Sequence, residues 1–302
     1  MNPVSGPECN DKRLALPTAF SSFMAAMCAS TLLHPFDLIK TRLQVANASN
    51  QAIPQYRTSY GAVRQIISTE GTLGLYKGVA ATAIASGVSW GIFRYVFDIT
   101  RLTLHRSNTT PKFEFNDIPL YSNIIASVFA SLFTTSIVHP LWFIKTRLEL
   151  QSYESKKAGW AQYNGVTDCI RKVLKIEGPR TFYSGFGPAA LMSLHGALQL
   201  TFYEELKKYS NFQTTNAYYL PFIWAGLSKL FAASMTYPLQ VIRSRQQMLD
   251  SPYKKTDFIQ VALNMIKKEG TISLFRGFSA HVQRACLQSG IIFTIYEFLN
   301  NI

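Results

Sequence analysis

The sequence predicts an all-α membrane protein: six transmembrane helices in three tandem pseudo-threefold repeats, with short amphipathic helices inside each repeat. Two observations carry that prediction. Long stretches of the chain contain neither acid nor base, and a pair of motifs returns three times at nearly constant spacing. A third observation limits the helices' surroundings. Charged residues make up only 16% of the chain while the mean hydropathy is just +0.07, so apolar surface is mixed with many Ser, Thr and Gln. That mixture suits helices with one face on water and the other on lipid.

The charge-free stretches are Leu14–Phe36, Gly78–Phe93, Ile118–Ile144, Thr181–Tyr203, Tyr209–Ser228 (continuing beyond Lys229) and Gly277–Tyr296, the last broken only by Arg284. Each approaches the roughly 20 residues that a helix needs to cross a bilayer. The 302 residues carry a formal net charge of +13, which invites a nucleic-acid reading. The charge lies between the apolar stretches rather than along one stripe, and no nucleic-acid partner is expected. Low charge with high aromatic content excludes intrinsic disorder. The four cysteines, Cys9, Cys28, Cys169 and Cys286, form no CxxC pair, so neither a disulfide framework nor a zinc site is expected. The opening MNPVSGPECNDKRLALP has no basic start followed by an apolar run, and no secretory signal is expected.

The repeats are read next. HPFDLIKTRLQ (His34–Gln44) returns as HPLWFIKTRLE (His139–Glu149) and as YPLQVIRSRQQ (Tyr237–Gln247). After each comes a second element: EGTLGLYKG (Glu70–Gly78), EGPRTFYSG (Glu177–Gly185) and EGTISLFRG (Glu269–Gly277). The chain is read as one membrane domain, 1–302, with repeats near 14–106, 117–210 and 216–302. Before each EG lies an amphipathic stretch, Tyr60–Thr69, Gly165–Ile176 and Asp257–Lys268, read as an interfacial helix. Pro35, Pro140 and Pro238 are expected to kink the first helix of each repeat.

At these residues the sequence resembles the mitochondrial carrier family, whose signature is Px[DE]xx[KR]x[KR]xQ followed by [DE]Gxxxx[YF][KR]G. The resemblance covers nearly the whole chain. It implies a six-helix, threefold pseudosymmetric transporter that alternates between cytoplasm-open and matrix-open states, with the short amphipathic helices on the matrix side. It also implies the mitochondrial inner membrane, a minority of relatives being peroxisomal. No cofactor, metal or enzyme activity is implied, and none of the common hydrolase or nucleotide-binding motifs is present. One six-helix bundle contains a complete path, so a monomer suffices; membrane lipid such as cardiolipin is an implied partner.

The signature implies a matrix gate. Acids two residues after each proline pair with bases five residues after the neighbouring proline, and glutamines nine residues on brace them. The acid positions here hold Asp37, Trp142 and Gln240, the base positions Lys40, Lys145 and Arg243, and the brace positions Gln44, Glu149 and Gln247. One ordinary ion pair at most is expected, with surplus positive charge. That surplus either draws anions, or Trp142 and Gln240 replace charge with packing and hydrogen bonds. Asp37→Asn is accordingly expected to be mild. The cytoplasmic gate maps to Asp98 with Arg101 and Glu204 with Lys207; Glu297 has Asn300 where a base belongs.

The D/W/Q pattern resembles the subgroup carrying FAD, folate, NAD and pyrimidine nucleotides, as do SGVSWGIF, SLHGALQLTFYE and SKLFAASMTYP. Substrate positions implied by symmetry are Ser86, Leu191, Met192 and Arg284, with Trp90 one turn on. Arg94, His195, Lys229 and Gln288 are grouped with them. Arg284, Lys229 and Arg94 suit phosphates, and Trp90 suits a flat heteroaromatic ring. Each also has a plain structural reading: Arg284 and Lys229 as interior partners of polar groups, Arg94 snorkelling, Trp90 packing. The expected substrate is an anionic nucleotide-like coenzyme, FAD leading, with NAD, pyrimidine nucleotides and folate as alternatives. A non-transporting adaptor of the same fold is the reading from another class.

Overall fold

A computed structural model describes residues 8–46, 56, 58–107, 120–157, 161–209, 220–249, 251, 253, 256–285 and 287. Among these the secondary structure is helical, and no strand occurs. Gln288 and Glu297 lie outside the described residues.

The first repeat opens with α1 (Glu8–Leu32) and α2 (His34–Val45). They are bent by 68° at Leu33. Pro35 sits in the first turn of α2, where its missing N–H would have had no intrahelical partner. In the second and third repeats Pro140 and Pro238 lie inside continuous helices; α3 (Ser59–Glu70) and α4 (Val79–Ser107) come before them in the chain. Those continuous helices are α5 (Leu120–Glu149) and, later, α10 (Leu220–Gln247). Between them run α6 (Tyr153–Lys157), α7 (Val166–Ile176), α8 (Phe186–Leu191) and α9 (His195–Tyr209). A 3₁₀ turn, Met192–Leu194, separates α8 from α9. Finally α11 (Phe258–Glu269) precedes a helical stretch over 278–285. Among the described residues two helices are long and apolar enough to cross a membrane, Thr72–Thr103 and Asn123–Glu149, with a third if the bent pair Ser22–Leu32 and His34–Val45 counts as one span. Large apolar side chains such as Phe129, Phe133, Leu227 and Met235 are exposed on helix exteriors, as lipid requires.

The interfacial helices fall where amphipathic periodicity places them. Each buries an i, i+4 pair on one face: Ala62 and Ile66 on α3, Cys169 and Val173 on α7, Val261 and Met265 on α11. Each is followed by glycine at positive φ (Gly71 +77°, Gly178 +84°, Gly270 +82°), which ends the helix without the steric cost a side chain would meet.

By contact density the chain divides into two compact units, each built from three segments of the chain. One comprises Met1–Ala26, Ser86–Val138 and Ala190–Thr236. The other comprises Met27–Ala85, His139–Ala189 and Tyr237–Ile302. In the first, Gly91 packs beside Phe23, and Phe202 stacks on Phe231 at 4.1 Å between ring centres. Among the described residues the second holds four apolar clusters, one centred on each repeat and a fourth, Val45, Leu150 and Met248, that joins all three. The first three gather around Leu38, Ala62 and Ile66, around Phe143, Cys169 and Val173, and around Val241, Val261 and Met265.

Two predictions follow from these placements. Gly277 has φ +79°, and a Cβ there would lie 3.0 Å from the Tyr237 hydroxyl, 3.1 Å from Leu43 Cβ and 3.2 Å from the Lys40 carbonyl. Gly270 has similar φ and open space around it. Gly270→Ala is expected to cost about 1–2 kcal/mol from backbone conformation, and Gly277→Ala about 1–3 kcal/mol more from overpacking. Unfolding of the two detergent-purified variants would show it; equal costs would contradict the packing. On α7, burial pushes the Cys169 thiol up to about 12. Maleimide is therefore expected to spare Cys169 in the folded protein at mildly alkaline pH and to label it once unfolded, because the thiolate is the nucleophile. Labelling at equal rates in both states would show that the site is open.

Candidate functional site

The second unit brings the three signature segments into a cyclic ring, built from buried polar groups that have to find partners inside it. The rule is the same at each corner. The brace residue of one repeat meets two side chains of the repeat before it: the hydroxyl six residues after the proline and the ring one residue before it. Thr41 donates to Glu149 Oε2 at 2.7 Å, Thr146 to Gln247 Oε1 at 2.8 Å, and Ser244 to Gln44 Oε1 at 2.7 Å. Gln44 Nε2 donates to the Tyr237 hydroxyl at 3.3 Å, Gln247 Nε2 lies 3.5 Å from His139 Nε2, and Glu149 Oε1 lies 3.8 Å from His34 Nδ1.

The rings also tie down the loop that enters the next helix. His34 Nε2 donates to the Lys77 carbonyl (2.9 Å), His139 Nε2 to the Ser184 carbonyl (3.1 Å), and Tyr237 Oη to the Arg276 carbonyl (2.8 Å). Each acceptor directly precedes a glycine at positive φ: Gly78, Gly185 or Gly277. Those glycines let one repeat's backbone press on the next. A Cβ on Gly78 would lie 3.1 Å from Leu148 Cβ, and one on Gly185 3.3 Å from the Arg243 carbonyl.

A layer of arginines secures the same segments from below. Arg42 forks onto Glu70 at 2.7 and 3.1 Å and donates to the Glu149 and Gln151 carbonyls. Arg245 forks onto Glu269 at 2.8 and 3.0 Å and donates to the Gln44 and Ala46 carbonyls. Arg147 reaches Glu177 at 2.8 Å. The glutamate of each EG motif is thus the partner of a buried arginine. Burial works against charge on Glu70, but Arg42 and Lys77 outweigh it and hold its carboxyl below the usual range. Sequence reasoning assigned these glutamates no role, nor the hydroxyls and rings. The signal was present as the same residue type at the same offset in all three repeats.

The predicted matrix-gate residues meet in the expected cyclic order, but one pairing expectation needs correcting. Lys145 Nζ lies 3.5 Å from Asp37, the ordinary ion pair. Asp37 also receives Arg284, at 2.5 Å from Nε to Oδ1. The corner therefore holds two ion pairs on one carboxylate, because the last helix supplies a cation that the signature does not count. The other two corners keep the geometry with different chemistry. Lys40 donates to Gln240 Oε1 at 2.6 Å, with its ammonium 5.9 Å from the centre of the Tyr237 ring. The face of Trp142 lies 4.9 Å from the Lys145 ammonium and 5.9 Å from the Arg243 guanidinium. A π face stands where the acid is missing, so the surplus cations are not left bare.

The residues expected to contact substrate are placed as follows. Ser86, Trp90 and Arg94 form the i, i+4, i+8 stripe of α4: Ser86 is buried, while Trp90 is half exposed and packs edge-on against Phe93. Arg94 pairs with Asp98 one turn on at 3.0 Å. Leu191 and Met192 flank the end of α8, where the helix tightens, and His195 Nδ1 lies 3.0 Å from the Thr236 hydroxyl. That hydroxyl donates to the Ala232 carbonyl, so Nδ1 of His195 is the donor. Lys229 is half-buried in α10. Arg101 lies on α4, and Glu204 and Lys207 on α9.

Comparison with known proteins agrees with this architecture. The family described as "Mitochondrial carrier protein" matches residues 12–108, 116–213 and 215–302. The chain is similar to "Folate transporter 1, chloroplastic" of Arabidopsis thaliana, 31% identical over 92% of each chain. It is 30% identical to "Mitochondrial nicotinamide adenine dinucleotide transporter 1" of Saccharomyces cerevisiae, over 94% of this chain and 76% of the relative. It is 26% identical to that organism's "Mitochondrial FAD carrier protein FLX1", over 93% and 95%. With the signature present three times over and closed into a ring, the chain belongs to the mitochondrial carrier family.

Proposed function

We propose that the chain moves an anionic nucleotide-like coenzyme, FAD first, across the mitochondrial inner membrane by alternating access. The observation that carries this reading is Arg284. It is the single charge in the otherwise neutral Gly277–Tyr296 stretch, it remains partly exposed, and it is held on Asp37. An arginine kept in place by a carboxylate at the floor of a path is a ready phosphate site, since phosphate offers the same bidentate geometry. In this reading, substrate phosphate takes over Arg284 and frees Asp37. The relatives' named substrates, folate, NAD and FAD, share a flat ring system and negative charge, which supports Trp90 as a stacking face. NAD is the second reading. It is favoured by Arg94, which adds a cation to the Ser86–Trp90 stripe.

The ring acts as the matrix gate in this proposal, and Asp98, Arg101, Glu204 and Lys207 as the cytoplasmic one. Ring opening then breaks ion pairs at one corner only, the other two separating at a hydrogen bond and a cation–π contact. The adaptor reading predicts the same ring but no ligand and no uptake.

The first test is thermal unfolding of the detergent-purified protein with FAD, FMN, NAD, folates, pyrimidine and purine nucleotides and coenzyme A. A ligand of the folded state raises the melting temperature by mass action. FAD is expected to stabilise and then to be taken up by reconstituted liposomes; stabilisation by NAD alone would move the substrate to the second reading. A flat response with no uptake would favour the adaptor. In the same liposomes Arg284→Ala is expected to lower uptake at least tenfold, about 1.4 kcal/mol, without loss of fold; near-normal uptake would reject the substrate contact. Asp37→Asn is now expected to be severe as well, since it strips one carboxylate from two cations. A mild effect would mean that the corner is solvated.

A further inference from the structure

We propose that the ring opens first at the seam between the second and third repeats. This rests on the reading of the ring as a gate and names where that gate parts. Three seams can be compared position by position, because each repeat presents the same offsets to the next. The arginine seven residues after the proline carries the comparison. Arg42 of the first repeat donates from Nε to the Glu149 carbonyl at 3.0 Å and from Nη2 to the Gln151 carbonyl at 2.6 Å. Arg245 of the third repeat donates in the same way to the Gln44 and Ala46 carbonyls, at 3.0 and 3.3 Å. Each fastens its own repeat to the next one through charge-assisted hydrogen bonds.

Arg147 of the second repeat breaks the pattern. It keeps the bond to its own EG glutamate, from Nη2 to Glu177 at 2.8 Å. Its Nε and Nη1 are buried without a hydrogen-bond partner. The guanidinium lies 4.8 Å from the centre of the Phe143 ring, one turn back on its own helix. Beside it is a cavity of about 10 Å³, lined by Leu150, Gln151, Tyr163 and, from the third repeat, Leu249. That is room for about one water, while Nε brings one hydrogen and Nη1 two. Buried donors left short of acceptors raise the free energy of the closed seam. Parting this seam admits solvent to them, whereas parting either of the others breaks bonds that its arginine already makes.

The layer of gate residues is uneven in the same sense. The first repeat is held by cations on both sides. Toward the second repeat, Asp37 pairs with Lys145 at 3.5 Å. Toward the third, Asp37 pairs with Arg284, Lys40 donates to Gln240 at 2.6 Å, and Arg276 donates to the Ala46 carbonyl at 2.7 Å. Between the second and third repeats the gate contact is Arg243 over the Trp142 ring at 5.9 Å. Hydrogen bonds do cross this seam, between neutral groups: Thr146 to Gln247, Gln247 to the Ser184 carbonyl, and the Ser184 hydroxyl to the Gln246 carbonyl. Neutral hydrogen bonds are about half as strong as charge-assisted ones. Ser184 also stands where the other EG motifs carry Lys77 and Arg276, so the second repeat brings one cation fewer.

The experiment places one cysteine at the hydroxyl position of each seam, in the full chain with its four native cysteines replaced by alanine. The variants are Thr41→Cys, Thr146→Cys and Ser244→Cys, all at buried positions. In proteoliposomes maleimide reaches each thiol when its seam parts, and each rate is divided by that of the same variant unfolded. Thr146→Cys is expected to label fastest, by at least about tenfold, the equivalent of one charge-assisted hydrogen bond. Equal rates, or faster labelling at Thr41→Cys or Ser244→Cys, would overturn the proposal and leave the gate standing. Protection at all three would overturn the gate reading and the proposal with it. Should a cysteine variant fail to fold, thermal unfolding of Arg42→Gln, Arg147→Gln and Arg245→Gln takes its place. All three strip an EG glutamate of its arginine, but Arg147→Gln removes no bond to another repeat and is expected to lower the melting temperature least. An equal or larger drop for Arg147→Gln would overturn the proposal.

Discussion

Buried polar groups have no water to turn to, and that constraint organises the second unit. Each signature segment places a ring, a hydroxyl, an arginine and a brace at buried positions of a helix, and the braces find their hydrogen-bond partners in another repeat. The brace needs the preceding repeat's hydroxyl and ring. Arg42 and Arg245 need carbonyls of the following repeat as well as their own EG glutamates. The result is a cycle in which the last repeat pairs with the first. A buried Arg–Glu pair is weak evidence of net stability, but losing one partner leaves an uncompensated charge at about 3–5 kcal/mol. The cycle therefore specifies one arrangement more strongly than it stabilises it.

Within that symmetric frame the charge is not symmetric. Asp37, Glu149, Lys145 and Arg284 gather at the corner between the first two repeats. The other corners use Gln240 beside Lys40 and Trp142 beside Lys145 and Arg243. The three signature segments bring the same offsets together whatever residues occupy them, so acid positions can become amide or aromatic while the geometry survives. The substitutions lower the electrostatic cost of separating two corners and concentrate it at the third. In the proposed cycle that corner is where substrate phosphate competes for Arg284.

Much of this protein was written in the chain. Periodicity alone located α3, α7 and α11, because an amphipathic helix records its buried face at every third or fourth residue. Repetition located the signature segments, because three units under one constraint keep the same residue types at the same offsets. What repetition did not reveal was which offsets meet. The pairing of the EG glutamates with the arginines seven residues after each proline joins residues far apart in sequence. So does the second cation on Asp37, which comes from the last helix and falls outside any signature position. The break of the helix at Met192–Leu194, before His195, also had no mark in the apolar pattern.

The sequence by itself determined the class, the repeat plan and the family, since these rest on local periodicity and on motifs that each repeat carries whole. Tertiary structure decided the partners. A lysine or a glutamate has the same formula whether it meets a carboxylate, an amide, an aromatic face or a bare imidazole nitrogen. Which of these it meets depends on closing the third repeat onto the first, a long-range geometry that no window of the chain contains.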